Sequence, residues 1–261
     1  MNDFKSSIAI IIFVLLTRTV VADFTINTVF SLDSDGDHHG IAFDGTNWSI
    51  ADPFDDSFHR YDANFNFLGD TSVSGISDMR GMAYDSNTNN LFVGDEDTGI
   101  VRLVTIDGSE ISQFATGFGE GLNAIAFDPN SDSVWLAFFN GVIENRTRTG
   151  TLISSFNGGE NWTGLAYDEL NNSLLLLESS NDTLFEFAPN GSLIGQMVGV
   201  DLIVENGQGL AYDSSLGRLF VTSQTGNVAI WDDPSRAIPE PQITIVILLS
   251  LAGQTLRRQR D

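Results

Sequence analysis

The sequence predicts an all-β protein, a five-bladed β-propeller, and two observations carry this prediction. First, a phrase of the form [GA]-x-A-[FY]-D occurs five times, and its aspartates lie 41, 43, 40 and 45 residues apart. A period near 42 residues in a strand-rich chain is typical of propellers, in which each repeat is one four-stranded blade. Second, the last repeat lacks one strand, and an N-terminal segment in which apolar and polar residues alternate can supply it. The five copies are Gly40–Asp44, Gly81–Asp85, Ala124–Asp128, Gly164–Asp168 and Gly209–Asp213.

The fourth repeat shows how one blade is built. Its phrase, Gly164–Asp168, is rich in small residues, which suits an innermost strand crowded by neighbouring blades. Leu174–Leu177 is apolar at every position and predicts a second strand buried between blades. Thr183–Phe187 alternates as a third strand, and the turn Pro189–Gly191 leads to an outer strand from Leu193. The other repeats follow the same order, so each predicts one blade.

The fifth repeat ends after Trp231 without an outer strand. The segment Phe24–Leu32 alternates apolar and polar residues, the pattern of a half-buried strand. We predict that this segment completes the last blade and closes the ring, which removes open sheet edges. A sixth inner strand would fall in one of the two terminal segments, so the count stays at five blades.

Three segments divide the chain: a signal peptide (1–22), the propeller (23–236) and a sorting tail (237–261). The first contains Lys5, an apolar run from Ile8 to Leu16, and small residues ending at Ala22. This order is typical of a secretory signal that signal peptidase removes. A buried strand is the alternative, but nothing in the repeat scheme pairs with it. The sequence therefore predicts an exported protein.

The tail combines Pro239-Glu240-Pro241, an apolar stretch, and the basic residues Arg257, Arg258 and Arg260. These features resemble the PEP-CTERM sorting signal of Gram-negative, exopolysaccharide-producing bacteria. The resemblance implies recognition by an exosortase, an integral-membrane cysteine protease, with cleavage near the triplet. It also implies a transient transmembrane anchor in the inner membrane and a destination in the cell envelope or the extracellular matrix. A buried terminal strand is the alternative interpretation of the tail.

Composition excludes several functions. The net charge is −23, and Lys5 is the only lysine, so the surface repels phosphate backbones and nucleic-acid binding is not expected. The acidic surface suits cations, or solubility alone. Cysteine is absent, which excludes disulfides and thiolate chemistry. No G-x-S-x-G nucleophile elbow occurs. The sequence thus contains no recognisable catalytic constellation.

Polar residues stand immediately before each repeated phrase. In a propeller these positions ring one mouth of the central channel, on the face that also carries the loops between second and third strands. Because all five residues are polar, we predict that they form a ligand-binding ring. A hydrated channel mouth is the alternative. The residues are His39, Arg80, Asn123, Thr163 and Gln208.

A candidate metal site lies just upstream of the first phrase. Asp33, Asp35 and Asp37 have the spacing that begins a calcium loop, and carboxylate oxygens suit Ca²⁺. His38 occupies the sixth position, where glycine is expected, and no glutamate stands at the twelfth. A turn is therefore the favoured interpretation, and Ca²⁺ the alternative. The repeated aspartates are likewise interpreted as turn residues that bond their own backbone.

The repeat body is similar to the propeller group that includes the NHL and the SMP-30/gluconolactonase-like proteins, on the repeated phrase alone. That resemblance assigns no metal ligand to this chain. We expect a binding or structural role at the cell surface or in the matrix, with exopolysaccharide or a surface protein as partner. The alternative is a metal-dependent hydrolase or lactonase acting at the channel mouth. A buried, convergent trio of carboxylates or amides at the axis would favour the enzyme.

Overall fold

A computed structural model describes residues 24–32, 37–159, 161–178, 180, 183–197 and 206–233. These residues form twenty strands in five four-stranded antiparallel sheets, and no helix among them is long and apolar enough to cross a membrane. The five inner strands contact one another in a ring, so the sheets are the blades of a five-bladed propeller. The predicted fold class is confirmed.

Each blade contains four strands, which succeed one another from the axis outward. The first blade comprises β2 (Ile41–Phe43), β3 (Asn47–Asp52), β4 (Ser57–Asp62) and β5 (Phe67–Ser72). The second comprises β6 (Met79–Asp85), β7 (Asn90–Asp95), β8 (Ile100–Thr105) and β9 (Glu110–Ala115). The third comprises β10 (Leu122–Asp128), β11 (Ser133–Phe138), β12 (Val142–Thr147) and β13 (Leu152–Asn157). The fourth comprises β14 (Gly164–Asp168), β15 (Ser173–Glu178), β16 (Thr183–Phe187) and β17 (Leu193–Met197). The fifth comprises β18 (Gly207–Asp213), β19 (Arg218–Ser223), β20 (Asn227–Asp232) and β1 (Thr25–Ser31).

The first strand of the chain closes the ring, as predicted. β1 pairs antiparallel with β20, from Thr25 opposite Asp232 to Ser31 opposite Asn227. Phe24 is buried in the same hydrophobic cluster as Trp231, so the closing segment also contributes to the core. Both ends of the described chain therefore meet in one sheet.

The core consists of five hydrophobic clusters, one in each seam between neighbouring blades. The second strand of each blade packs its two faces against the two neighbouring blades. In β15, Leu175 and Leu177 face the fifth blade, whereas Leu174 and Leu176 face the third. This arrangement explains why second strands are apolar at almost every position rather than alternating.

Glycine begins four of the five phrases because the inner strands approach one another closely. A Cβ atom on Gly40 would lie 2.4 Å from the carbonyl oxygen of Arg80 in the next blade. On Gly209 it would lie 2.2 Å from the carbonyl oxygen of His39, where the fifth blade meets the first. These contacts are shorter than van der Waals separation, so a side chain would push the blades apart.

Aspartate ends the phrase because its carboxylate caps the turn that follows. Oδ1 of Asp44 accepts hydrogen bonds from the backbone N–H groups of Thr46 and Asn47, at 2.8 and 2.7 Å. The same two-bond pattern recurs in the other four blades, which confirms the turn interpretation. The remaining carboxylates are Asp85, Asp128, Asp168 and Asp213.

Several sequence predictions lie outside the described residues. They are the signal peptide (1–22), the sorting tail (237–261) with its motif, and two of the three candidate calcium ligands, Asp33 and Asp35.

Candidate functional site

The five predicted mouth residues all lie at the start of the inner strands, at one end of the channel. Thr163 immediately precedes β14, His39 lies two residues before β2, and the other three lie within β6, β10 and β18. Four of the five are buried, and Arg80 is half-buried. We call this end of the propeller the strand-start face.

Two members of the ring bond to the next blade. Asn123 Nδ2 donates a hydrogen bond of 2.6 Å to the carbonyl oxygen of Trp162, which precedes the fourth inner strand. Thr163 Oγ1 donates one of 3.0 Å to the carbonyl oxygen of Gly207, at the start of the fifth. These bonds hold successive blades together, so polarity at these positions has a structural cause. Asn123 Oδ1 and His39 Nδ1 are buried and lack a hydrogen-bond partner in the structure.

Carboxylates surround Arg80 on the strand-start face. Its guanidinium donates to both oxygens of Asp78, each at 2.9 Å. Oxygens of Asp78, Glu96 and Asp97 lie within 4.8 Å of one another, a spacing that could hold a metal ion. Burial and the charges of Asp78 and Asp97 raise the pKa of Glu96, although Arg80 opposes that rise. Glu96 could therefore hold a proton more readily than an exposed glutamate.

Asp37 is the one described member of the predicted calcium loop. Its Oδ2 lies 3.5 Å from His39 Nε2, and its Oδ1 lacks a hydrogen-bond partner. The calcium prediction stays a prediction, because the loop lies partly outside the described residues. Of the acidic group around Arg80, Asp78 lies in the connection between the first and second blades, outside the repeated phrase, so no motif points to it.

A second polar cluster, missed by sequence reasoning, lies in the seam between the first and fifth blades. His59 is buried, and its ring nitrogens face Asp52 Oδ2 at 3.0 Å and Asp70 Oδ1 at 2.6 Å. The hydrogen bond with Asp52 raises the pKa of His59; burial opposes the rise, and Asp70 adds to it. Burial pushes the pKa of Asp52 upward, but hydrogen bonds from His59 and Phe54 bring it below its ordinary value. The cluster ties β3, β4 and β5 together.

A cavity of about 290 Å³ lies on the axis and is lined by all five repeated phrases. It contacts residues that follow the inner strands, such as Ser86 and Pro129, and none of the five predicted mouth residues. It therefore opens at the opposite end, which we call the strand-end face. The sequence signal was present, because alanine at the third position of every phrase leaves room at the axis. Crowding between blades, the reason predicted from the sequence, explains the glycines, whereas the alanines line the cavity.

Aromatic side chains surround this cavity at the fourth position of each phrase. They are Phe43, Tyr84, Phe127, Tyr167 and Tyr212. The three tyrosine hydroxyls donate hydrogen bonds to residues outside the cavity lining: Asn89 at 2.7 Å, Asn172 at 2.9 Å and Asp233 at 3.1 Å. These bonds fix the rings and leave their carbon surface as cavity wall.

The strand-end face is acidic. The repeated aspartates directly follow the five aromatic residues, and Asp213 and Glu169 line the cavity. Burial first, and then the charge of Asp128, raise the pKa of Tyr167 to about 12. Burial and the charges of Asp44 and Asp85 also raise the pKa of Tyr84. Carboxylates thus set a negative potential beside the aromatic rings.

Comparisons with known proteins support the fold. No family model and no curated protein matches the chain. The crystal structure of glutaminyl cyclase from Myxococcus xanthus is similar, with a TM-score of 0.65 and 13% sequence identity over 80% of this chain and 96% of that chain. At this identity the likeness concerns the propeller fold alone.

Proposed function

We propose that this chain is an exported binding protein that is sorted to the cell envelope and holds a small ligand in its axial cavity. The cavity carries the proposal: five inner strands leave an open space of about 290 Å³, and each contributes an aromatic side chain to its wall. Ligand sites in proteins are concave, mostly apolar spaces with a few polar groups, and this volume suits a small ligand.

The chemistry of the wall favours binding over catalysis. The lining contains aliphatic and aromatic side chains, serine hydroxyls and two carboxylates, but no histidine, lysine or arginine. A serine nucleophile needs an adjacent general base. Two lining serines donate hydrogen bonds to carboxylates, Ser214 to Glu169 and Ser215 to Asp213, but no histidine or lysine among the lining residues can act as their base. The wall therefore supplies shape and charge to a ligand.

Binding is tested by filling the cavity. The purified full-length protein is screened against small apolar and aromatic fragments by ligand-observed NMR. Ala166→Leu places extra carbon atoms in the cavity wall and should abolish the signals of bound fragments. Ala115→Leu makes the same change at an exposed position of β9 and should leave them unchanged. Fragment signals that survive Ala166→Leu, or their absence from the parent protein, would refute the proposed site.

The envelope destination rests on the tail, whose Pro239-Glu240-Pro241 triplet, apolar stretch and arginines resemble an exosortase signal. In the native host, replacing the triplet by three alanines should leave a longer, membrane-retained form, because cleavage near the triplet is lost. Fractionation and intact mass report this outcome. A mutant with the same mass and fraction as the parent protein would contradict the sorting proposal and leave the cavity proposal untouched.

A metal-dependent hydrolase or lactonase at the strand-start face is the second candidate. The carboxylates of Asp78, Glu96 and Asp97, with the raised pKa of Glu96, favour it. The similar Myxococcus xanthus propeller bears the name of an enzyme, glutaminyl cyclase. Ca²⁺ should then raise the melting temperature saturably, and Glu96→Gln should abolish both that shift and any lactone hydrolysis. Equal shifts with Ca²⁺ and Mg²⁺ that do not saturate would indicate ionic screening and exclude this candidate.

A further inference from the structure

Five aromatic side chains line the axial cavity, and contacts with neighbouring residues fix four of these rings. Hydrogen bonds to Asn89, Asn172 and Asp233 fix the three tyrosines. Phe43 is fixed differently, by stacking on Trp48 with ring centroids 4.3 Å apart. Because these rings are held before any ligand arrives, little side-chain freedom is lost on binding.

Two arginines near the strand-end face already pair with carboxylates outside the cavity lining. Arg148 donates to both oxygens of Asp85, and its guanidinium lies 5.5 Å from the Phe127 ring centroid without belonging to the cavity lining. Arg60 lies 3.7 Å from Asp44. The cavity lining itself contributes Asp213 and Glu169 and no basic residue. A bound ligand would therefore meet negative charge and aromatic rings together.

This combination selects a particular kind of ligand. Aromatic faces attract cations, and cations whose charge is spread over alkyl groups lose little hydration on entering an apolar space. Carboxylates at the rim favour the same charge by Coulomb attraction. An anion would meet repulsion from both groups. A strongly hydrated metal ion would find few oxygen ligands among the cavity-lining side chains.

We propose that the axial cavity binds a small organic cation of the trimethylammonium type. This inference rests on the proposed function, since it names the ligand class of the same cavity. The charge of the ligand, and not only its apolar surface, then determines affinity. A trimethylammonium group occurs on free choline and on phosphocholine lipid headgroups, and the rings and carboxylates would recognise either source.

Choline and its neutral carbon isostere, 3,3-dimethylbutan-1-ol, provide the test, because they share size and shape and differ in charge. Calorimetric titration of the full-length protein should show choline binding at least ten times more tightly than the alcohol. Sedimentation with phosphatidylcholine vesicles, against phosphatidylethanolamine vesicles, separates the lipid source from the free one. Binding in either arm supports the proposal.

Variants locate the effect. Tyr167→Leu removes an aromatic ring while keeping an apolar side chain, and should weaken choline binding at least fivefold with less than twofold effect on the alcohol. Glu169→Gln should weaken choline alone; its side chain is exposed, so folding is not at risk. Asp55→Asn removes one exposed charge beyond the lining and should change neither affinity.

The outcomes distinguish this inference from the function on which it rests. Equal affinities for choline and the alcohol, both lost in Ala166→Leu, would overturn the cation proposal and retain the cavity as a binding site. Fragment binding with neither choline binding nor phosphatidylcholine-vesicle binding would do the same. Choline affinity that Asp55→Asn lowers as much as Glu169→Gln would also overturn it, because the effect would then come from overall charge.

Discussion

Arg148 in the third blade donates two hydrogen bonds to the carboxylate of Asp85 in the second, across the seam between them. Asp85 is fully buried, and the arginine also contacts Asp132 and lies over the rings of Phe92 and Phe127. Asp85 caps its own turn as well, so one carboxylate joins a local turn to a neighbouring blade. The repeated phrase thereby contributes to blade packing as well as to turn formation.

Arg148→Met should destabilise the protein strongly, because it leaves the buried carboxylate of Asp85 without its cation. Removing one partner of a buried pair costs about 3–5 kcal/mol. For a domain of this size, that corresponds to a fall in melting temperature of roughly 6–20 °C. Differential scanning calorimetry measures this fall in melting temperature. Arg218→Met is the matched control: its pair with Asp232 is exposed on both sides, and such pairs contribute about 0–1 kcal/mol. Equal losses in the two variants would show that the seam pair has no special role.

Gly209→Ala should prevent close packing where the ring closes, because the new Cβ would lie 2.2 Å from the carbonyl oxygen of His39. Overpacking of this kind costs about 1–3 kcal/mol. The third blade provides the reverse control, since Ala124 stands where the other blades have glycine. Ala124→Gly should cost only about 0.5–1 kcal/mol through backbone entropy and lost packing. Urea unfolding compares the two, and an unaffected Gly209→Ala protein would show that the blades can separate freely.

The His59 cluster should make stability depend on pH. The pKa of His59 is raised, so its contribution is complete below its ordinary value near 6.5 and is lost as the pH rises through the folded-state pKa. The pKa of Asp52 is lowered, so its contribution is present above its ordinary value and is lost as the pH falls through the folded-state pKa. The cluster therefore stabilises most in mildly acidic solution. The free energy of unfolding of the parent protein, relative to His59→Asn, should decrease from pH 5.5 to pH 9. A difference that stays constant or grows would contradict the proposed protonation.

Deleting residues 24–32 should leave the fifth blade with three strands and expose the edge of β20. The buried side chains of Phe24 and Leu32 would also leave two seams. We expect loss of cooperative unfolding and of soluble yield, measured by thermal scanning and by the soluble fraction. A synthetic peptide of residues 24–32 should restore part of both. Unchanged melting of the shortened protein would mean that the ring does not need its closing strand.

The sequence predicted the fold well, because the repeat combines several local signals. Gly81, Ala83 and Asp85 each occupy their positions for separate physical reasons: close approach, space at the axis and turn capping. The closing strand was also predictable, since Phe24–Leu32 alternates and has a single free edge to pair with. Such signals repeat five times and reinforce one another.

The sites were less predictable, because they depend on distances between blades. The polar ring was identified by position, but the hydrogen bonds of Asn123 and Thr163 to neighbouring carbonyl groups appear only in three dimensions. His59 forms hydrogen bonds with Asp52 and Asp70 on neighbouring strands, and no sequence motif predicts these contacts. The axial cavity results from how far apart five alanines lie, which no single repeat determines.

The pairing of β1 with β20 sets an order of events during synthesis. The ribosome makes β1 before any other described strand and its partner β20 after all of them. β1 therefore has no native partner until β20 has been synthesised, and the ring cannot close before that point. Until then β1 has an unpaired edge, so every incomplete chain is open to pairing with other chains for the full duration of its synthesis.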